Sequence, residues 1–340
     1  MPRTRSDTSR DCWQLLRSRY ESQGLVLALG AGVSAGCGLP NWPELLLRVG
    51  ECCLPQRQGQ KTVQALIDTG ATFPAIAGIL ESKTPRGRRF SDILREQLYR
   101  DFPFHDAITT AAQRRKLVDF VHAHSPTMRA VTALCVQRDS SRPEFLPNPR
   151  IRAVVNFNLD AVLRTYAAAR YDAYLFRTIE RADKTQRLGR IPIYHMHGLL
   201  KFGRHHREDD THELRSVFTE GEYFDVFNQP HSVFNYTFLY LLREYNCLFI
   251  GLSMNDENIR RLLHYSTAER RRQTGRDASS PRVALRHFAI LRRTTSREVD
   301  ELIDISLRRL GTRALWIDSF DEIPSRFAAV YGRDAWPNVY

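Results

Sequence analysis

The sequence is poor in long apolar runs. None approaches the roughly 18 residues needed to span a bilayer, so membrane residence is not expected. The first residues, MPRTRSDTSRD, lack the apolar stretch of a secretory signal, and a cytoplasmic protein is the default expectation. Cysteine is scarce and badly spaced for metal: Cys12, Cys37, Cys52, Cys53, Cys135 and Cys247 form no C-x-x-C pair and no Cys/His ligand pattern. That argues against a zinc ribbon and for reduced, mostly buried thiols. Internal repeats and low-complexity tracts are also absent. Acidic charge is in deficit, with 50 Lys+Arg against 38 Asp+Glu and a net charge of +12. An excess of that size admits an anionic partner. The arginines, however, are scattered, densest at 86–89 and 270–276, and lack interleaved aromatics. They read first as a solvated basic face or a protein interface, with nucleic-acid contact left open.

What is present is an ordinary globular composition, 42% hydrophobic and 26% charged over 340 residues, enough for one large domain with an insertion, or two domains. The stretch LVLALGAGVSAGCGLPNWPELLL, residues 25–47, organises the rest. Leu25–Leu29 is short and apolar enough for a buried parallel strand. Gly30-Ala31-Gly32 breaks it, and Asn41 with Glu44 can cap a following helix. Strand, glycine turn and helix start is a layout that holds phosphate, with backbone N–H groups exposed to the anion.

Residues 11–23 read as an amphipathic helix. Residues 51–145 are helical in pattern, broken by Pro and Gly, with no convincing strand. Strand signals return at 151–157, 191–197, 247–252, 287–291 and 313–317, separated by helical stretches at 160–170, 234–245, 256–266 and 296–310. The polar segment 201–217 reads as a surface loop. Strands alternating with helices predict an α/β fold, a Rossmann-like doubly wound parallel sheet with a helical insertion. Residues 1–50 and 146–340 form the sheet domain, and 51–145 the insertion.

In a parallel sheet, ligands bind beyond the carboxyl ends of the strands. The groups found there are Gly30, Ala31, Gly32 and Ser34; Asn158 and Asp160; His197 with Gly198; and Gly251, Ser253 and Asp256. His197 precedes a glycine that permits close approach, and its imidazole suits proton transfer near neutral pH. His195, two residues earlier, lacks that glycine and reads as supporting or core. Asp160 and Asp256 could equally serve as helix caps for the stretches that follow them. Trp42 could close over a ligand or pack against the insertion.

The four segments together resemble the sirtuin-like family. GAGVSAGCGLPNW looks like its first motif, NFNLD is similar to its T-x-N-x-D strand end, MHG to its catalytic H-G, and FIGLSMND to its G-x-S-x-x-D motif. Among its members the chain looks closest to bacterial antiphage domains that hydrolyse NAD+. It departs from the deacylase branch in having nothing to build a four-cysteine zinc module and in carrying Trp42-Pro43 in place of Phe-Arg. Asn156-Phe157 also stands where Thr or Gln is commoner. The resemblance implies an NAD+ glycohydrolase with NAD+ as substrate, no zinc, and Asn158 and His197 as catalytic residues. Asn158 would contact the ribose and Asp160 the nicotinamide carboxamide. Gly30, Ala31, Gly32 and Ser34 would serve the pyrophosphate and adjacent ribose; Gly251 and Ser253 the adenosine side, with Asp256 a further candidate. It further implies a homo-oligomer with a protein partner such as a HerA-type ATPase.

Three alternatives stand beside this reading. GAGVSA fits the loose G-x-G-x-x-G/A fingerprint of dehydrogenases, but Glu51, the acid about 20 residues on, falls in a helical stretch rather than at a strand end. An NAD-dependent deacylase lacks its zinc module here. A non-catalytic nucleotide-binding scaffold would bind NAD+ without consuming it.

Overall fold

The computed structural model describes residues 5–55, 58–104, 106–138, 144–180, 186–202, 217–228, 232–273 and 285–340. Most of the polar segment 201–217, and the end of the arginine-rich stretch 270–276, therefore lie outside the described residues. Strands run β1 (Leu25–Leu29), β2 (Val136–Arg138), β3 (Phe145–Pro147), β4 (Ile151–Asn156), β5 (Phe176–Ile179), β6 (Ile191–His195), β7 (Asn246–Ile250), β8 (His287–Arg292) and β9 (Thr312–Ile317). The helices are α1 (Arg5–Gln23), α2 (Trp42–Cys53), α3 (Gly59–Asp68), α4 (Phe73–Ser82), α5 (Phe90–Leu98), α6 (Ala111–His124), α7 (Pro126–Leu134), α8 (Val162–Ala167), α9 (Glu220–Asn228), α10 (Val233–Glu244), α11 (Glu257–Gln273), α12 (Arg297–Arg309) and α13 (Ile323–Tyr331).

Seven strands form one parallel sheet in the order β5-β6-β4-β1-β7-β8-β9. Every residue of β1, β6 and β7 is buried, as continuous apolar runs covered on both faces require. The strand period of two splits β1 between two cores. Leu25, Leu27 and Leu29 join a cluster with α1, α2 and the helices up to α7. Val26 and Ala28 face α10 and α11 instead. The fold is thus an α/β, Rossmann-like, doubly wound sheet, as the sequence pattern predicts.

Two features depart from that pattern. The stretch read as all-helical contains β2, which pairs antiparallel with β3 in a short two-stranded ribbon; three residues are too few to produce a period-2 signal. The edge strand β5, with only four residues after an irregular helical turn, goes unnoticed in the sequence for the same reason. The insertion helices do not carry a separate core among the described residues. Val63, Ile76, Leu80, Ile93, Leu94, Phe102 and Leu117 belong to the cluster that holds one face of β1.

From β1 the chain winds to β4, β5 and β6, then returns to β7 on the other side of β1. The winding reverses between β1 and β7, where an open sheet forms a crevice. Register makes the crevice level: Leu29 pairs with both Asn156 and Ile250, and Asn156 with His195. The loops after four strands therefore leave the sheet at one height. Two of them interlock. Gly30 N–H donates to Ile250 C=O and Gly32 N–H to Gly251 C=O, each at 3.0 Å. A Cβ at Gly251 would lie 2.6 Å from Val33 N, and its φ of +68° is left-handed. Gly251→Ala is expected to destabilise the protein by roughly 2 kcal/mol or more, read as a lower denaturant midpoint; an unchanged midpoint would show that this packing is dispensable.

Candidate functional site

The four loops open on one cavity of ≈ 790 Å³, within the range of small-molecule sites. Of the residues singled out at the strand ends, Gly30, Ala31, Gly32, Ser34, Asn158, Asp160, His197, Gly251, Ser253 and Asp256 line it, and Gly198 does not. Nor does His195. It is fully buried at the end of β6, a core position as its sequence context suggests.

The backbone amides of the glycine loop are used within the protein. Two tight turns, at Ala31–Val33 and Ala35–Cys37, follow β1 before α2 begins at Trp42. The N–H groups of Gly30, Gly32, Val33 and Ser34 are spent on the carbonyls of Ile250, Gly251, Gly30 and Ala31. These amides are not a ring of free donors. The glycines permit close packing against the Gly251 turn, since a Cβ at Gly30 would meet Leu252 at 2.5 Å and one at Gly32 would meet Gly251 Cα at 2.8 Å. The capping pair forms as expected: Asn41 Oδ1 accepts from Glu44 N–H and Glu44 Oε2 from Asn41 N–H, both at 3.0 Å.

After β4 the chain turns at Asn156, whose Oδ1 accepts from Asn158 N–H at 3.1 Å. Asn158 then reaches across the crevice: its Nδ2 donates to Gly30 C=O at 3.0 Å and to Ser34 Oγ at 3.3 Å. Its Oδ1 has no donor among the described residues, so the carbonyl is the end left for a ligand or water. Asp160 Oδ1 accepts from Val162 N–H at 2.9 Å at the start of α8. It is therefore a turn-forming residue as well as a cavity wall. Burial raises its carboxyl above the ordinary value, with the Ser34 hydroxyl and the backbone N–H of Val162 opposing.

A buried phenol from the insertion stitches these loops together. Tyr99 donates to Leu200 C=O at 2.6 Å and accepts from Ala161 N–H at 2.7 Å, while Leu200 N–H donates to Leu159 C=O at 2.7 Å. The loop after β4 is thereby fastened to the loop after β6, which carries His197.

His197 is almost fully buried, and its Nδ1 has no hydrogen-bond partner among the described residues. Burial pushes the imidazole below its ordinary value, with the Asp256 carboxylate and the Phe157 backbone pulling the other way. Asp256 Oδ1 accepts from Ile259 N–H at 2.9 Å, the helix-capping role open to it from sequence, and its Oδ2 accepts from Tyr223 Oη at 2.9 Å. Ahead of it, Met254 adopts a left-handed φ of 61°, a strained turn of the kind found at functional loops.

Sequence reasoning overlooks several walls. Phe157, Phe218, Glu220, Tyr223, Phe73 and Leu98 line the cavity, and Trp42 does so while stacked on Phe218 at 4.4 Å. Trp42 also stacks on Phe73 of α4 at 6.4 Å, so it packs against the insertion while lining the cavity. Phe73, Leu98, Phe218, Glu220 and Tyr223 sit at no motif, and packing of α4, α5 and α9 over the crevice delivers them; Phe157 and Trp42 fall inside the NFNLD and GAGVSAGCGLPNW segments. Among the described lining residues there is no lysine or arginine, whereas Asp160, Glu220, Asp256 and Glu257 are acidic. No group of three or more His, Cys, Asp or Glu among the described residues is placed to hold a metal. No helix among them is long and apolar enough to cross a membrane.

Residues 152–313 match the family model of the SIR2-like domain, and no curated protein matches the chain. The match spans β4 to β9, just under half of the chain. It includes Asn158, Asp160, His197, Gly251, Ser253 and Asp256, and leaves out the Gly30 loop. The likeness to a SIR2-like domain thus covers the part of the doubly wound sheet from β4 to β9 and most of the strand-end residues of the cavity.

Three buried imidazoles make stability depend on pH. Burial, reinforced by Arg164, lowers His195 to about 3. His197 is lowered by burial, and His287 well below its ordinary value by burial with Arg270 and Arg286. Unfolded histidine protonates near 6.5, so below that pH the unfolded chain takes up protons that the folded chain refuses. Stability therefore falls as pH drops below about 6.5. At pH 4.5 His195 alone contributes a loss of roughly 3 kcal/mol. Denaturant midpoints at pH 7.5 and 4.5 should differ in that sense, and less so in His195→Gln; equal loss in both proteins would acquit His195.

Proposed function

We propose that the chain is an NAD+ glycohydrolase, cleaving NAD+ to nicotinamide and ADP-ribose. The observation that carries the proposal is the meeting of His197 and Asn158, from loops after different strands, in one cavity at the switch point of the sheet. The SIR2-like match over residues 152–313 supports a link to NAD+ chemistry.

The site's electrostatics favour this reading. Breaking the nicotinamide–ribose bond removes positive charge from the ring and builds it on an oxocarbenium-like ribose. Carboxylates along the wall, at Asp160 and Asp256, favour both the cationic ring and the cationic transition state. The Asn158 carbonyl would accept a hydrogen bond from a water or a ribose hydroxyl. A neutral His197 would take a proton from such a group. Gly30, Ala31, Gly32 and Ser34 would lie along the diphosphate and its ribose, with Gly251 and Ser253 on the adenosine side. Because the amides of Gly30, Gly32 and Ser34 are engaged and the Ser34 hydroxyl bonds to the Asp160 carboxyl, that loop would offer the diphosphate close backbone approach rather than free donors.

The wider setting belongs to the same proposal and rests on the family resemblance: an NAD+-depleting effector of antiphage defence, cytoplasmic, held inactive until triggered, and assembled as a homo-oligomer with a HerA-type ATPase. A deacylase or a non-catalytic nucleotide-binding scaffold is the alternative.

Mass analysis of NAD+ incubated with the purified protein, with and without the product of the adjacent gene, should find nicotinamide and ADP-ribose. His197→Ala and Asn158→Ala should each lose about 10²-fold or more in turnover with unchanged circular dichroism. Binding without consumption under every condition would favour the scaffold, and acetyl-peptide turnover in proportion to NAD+ loss the deacylase. Near-normal turnover in His197→Ala would remove the imidazole from the mechanism.

A further inference from the structure

His197 is held in an unusual way for a residue asked to move a proton. Among the described residues no hydrogen bond reaches its Nδ1, so no carboxylate there fixes the ring. Two aromatic walls hold it, together with the Phe157 backbone. Phe157, from the loop after β4, meets it edge-on with centroids 5.5 Å apart and planes at 75°. Tyr223, from α9, meets it at 5.7 Å and 54°. The backbone is tied as well, since Val217 N–H donates to His197 C=O at 3.0 Å.

Tyr223 reaches past the imidazole to Asp256, just ahead of α11. With its hydroxyl on Oδ2 and Ile259 N–H on Oδ1, both at 2.9 Å, each carboxylate oxygen has a donor. Neither donor comes from His197. Tyr223 is itself positioned by the start of α9. Glu222 accepts from the N–H groups of Phe218 and Thr219 at 2.9 Å, and Phe218 stacks on Trp42.

We propose that Tyr223 and Asp256 act on His197 as one positioning pair, the phenol ring walling the imidazole while its hydroxyl occupies the carboxylate that would otherwise bond to it. A bare carboxylate beside an imidazole stabilises the imidazolium. A carboxylate already holding two donors does so less, and the imidazole stays neutral, ready to accept a proton. Asp256 is the charged group that acts on His197 among the described residues; Phe157 brings only its ring and backbone, and Tyr223 its phenol. The consequence for turnover rests on the NAD+-cleavage reading; the effect on the imidazole does not.

The test is a histidine ¹⁵N NMR titration of the full chain, with the His197 signal identified by its loss in His197→Gln. Tyr223→Phe keeps the ring and removes the hydroxyl, so the His197 midpoint should rise by about half a pH unit or more. Asp256→Asn removes the charge but still accepts from Ile259 N–H, so the midpoint should fall. It also supplies the test should Tyr223→Phe fold poorly. Where NAD+ is consumed, the acid limb of kcat/KM should move in the same two opposite directions. Midpoints that stay put, or move the same way in both variants, overturn the pairing whatever the turnover. Opposed shifts in a protein that never consumes NAD+ uphold the pairing and overturn the glycohydrolase reading alone.

Discussion

The turn after β1 packs backbone against backbone on the turn after β7, and the site depends on that contact. Gly32 and Gly251 meet backbone to backbone, with no room for a Cβ on either. Two inter-turn hydrogen bonds at 3.0 Å fix the approach. Because β1 lies between β4 and β7, this contact decides how far the crevice opens. It also sets the position of the Gly30 carbonyl, which Asn158 uses as an anchor. A looser turn would let the Asn158 amide swing, and its carbonyl would lose a defined direction. Motif glycines here act by packing protein against protein first, and only through that on a ligand.

The insertion completes what the sheet begins. Tyr99, at the end of α5, holds the loop after β4 against the loop after β6 through one phenolic oxygen that both donates and accepts. Its hydroxyl is fully buried, where an unmatched polar group is costly, so the bonds to Leu200 and Ala161 are mutually enforcing. Helices α2, α4 and α5 also supply Trp42, Phe73 and Leu98 to the cavity wall. The helices between β1 and β4 thus position Asn158 and His197 relative to each other, although neither lies in them.

Much of this is legible in the residues, and the boundary between legible and hidden is physical. Buried parallel strands are continuous apolar runs, so β1, β4, β6, β7, β8 and β9 stand out. Their carboxyl ends then point to Asn158, His197 and Gly251 without any structure. β5 and β2 are too short for periodicity to register. The fates of the Gly30, Gly32 and Ser34 amides cannot be read, because the carbonyls that take them lie partly in a strand more than 200 residues away. Tyr223 and Tyr99 sit in ordinary amphipathic helices, where a tyrosine carries no local mark of what its hydroxyl will meet. Asp256 could be read as a cap or a site residue, and the structure shows the cap on one oxygen and a bond to the cavity-wall Tyr223 on the other.

The charge of the molecule and the charge of its cavity have opposite signs, and the difference bears on the proposed cleavage of NAD+. A chain of net charge +12 encloses a space whose described walls carry carboxylates and no lysine or arginine. Surface cations are screened over about 8–10 Å at ordinary ionic strength, so they contribute little inside. Burial then acts on the two acid–base groups in opposite senses: it disfavours charge, holding His197 towards the neutral imidazole and raising Asp160. In the proposed reaction a neutral imidazole places no charge beside the cationic sugar, and once it takes a proton the nearby Asp256 carboxylate offsets the imidazolium. An imidazolium present from the start could take no proton and would repel that sugar. The burial that makes His197 a weak base is therefore what makes its neutral form available where positive charge develops.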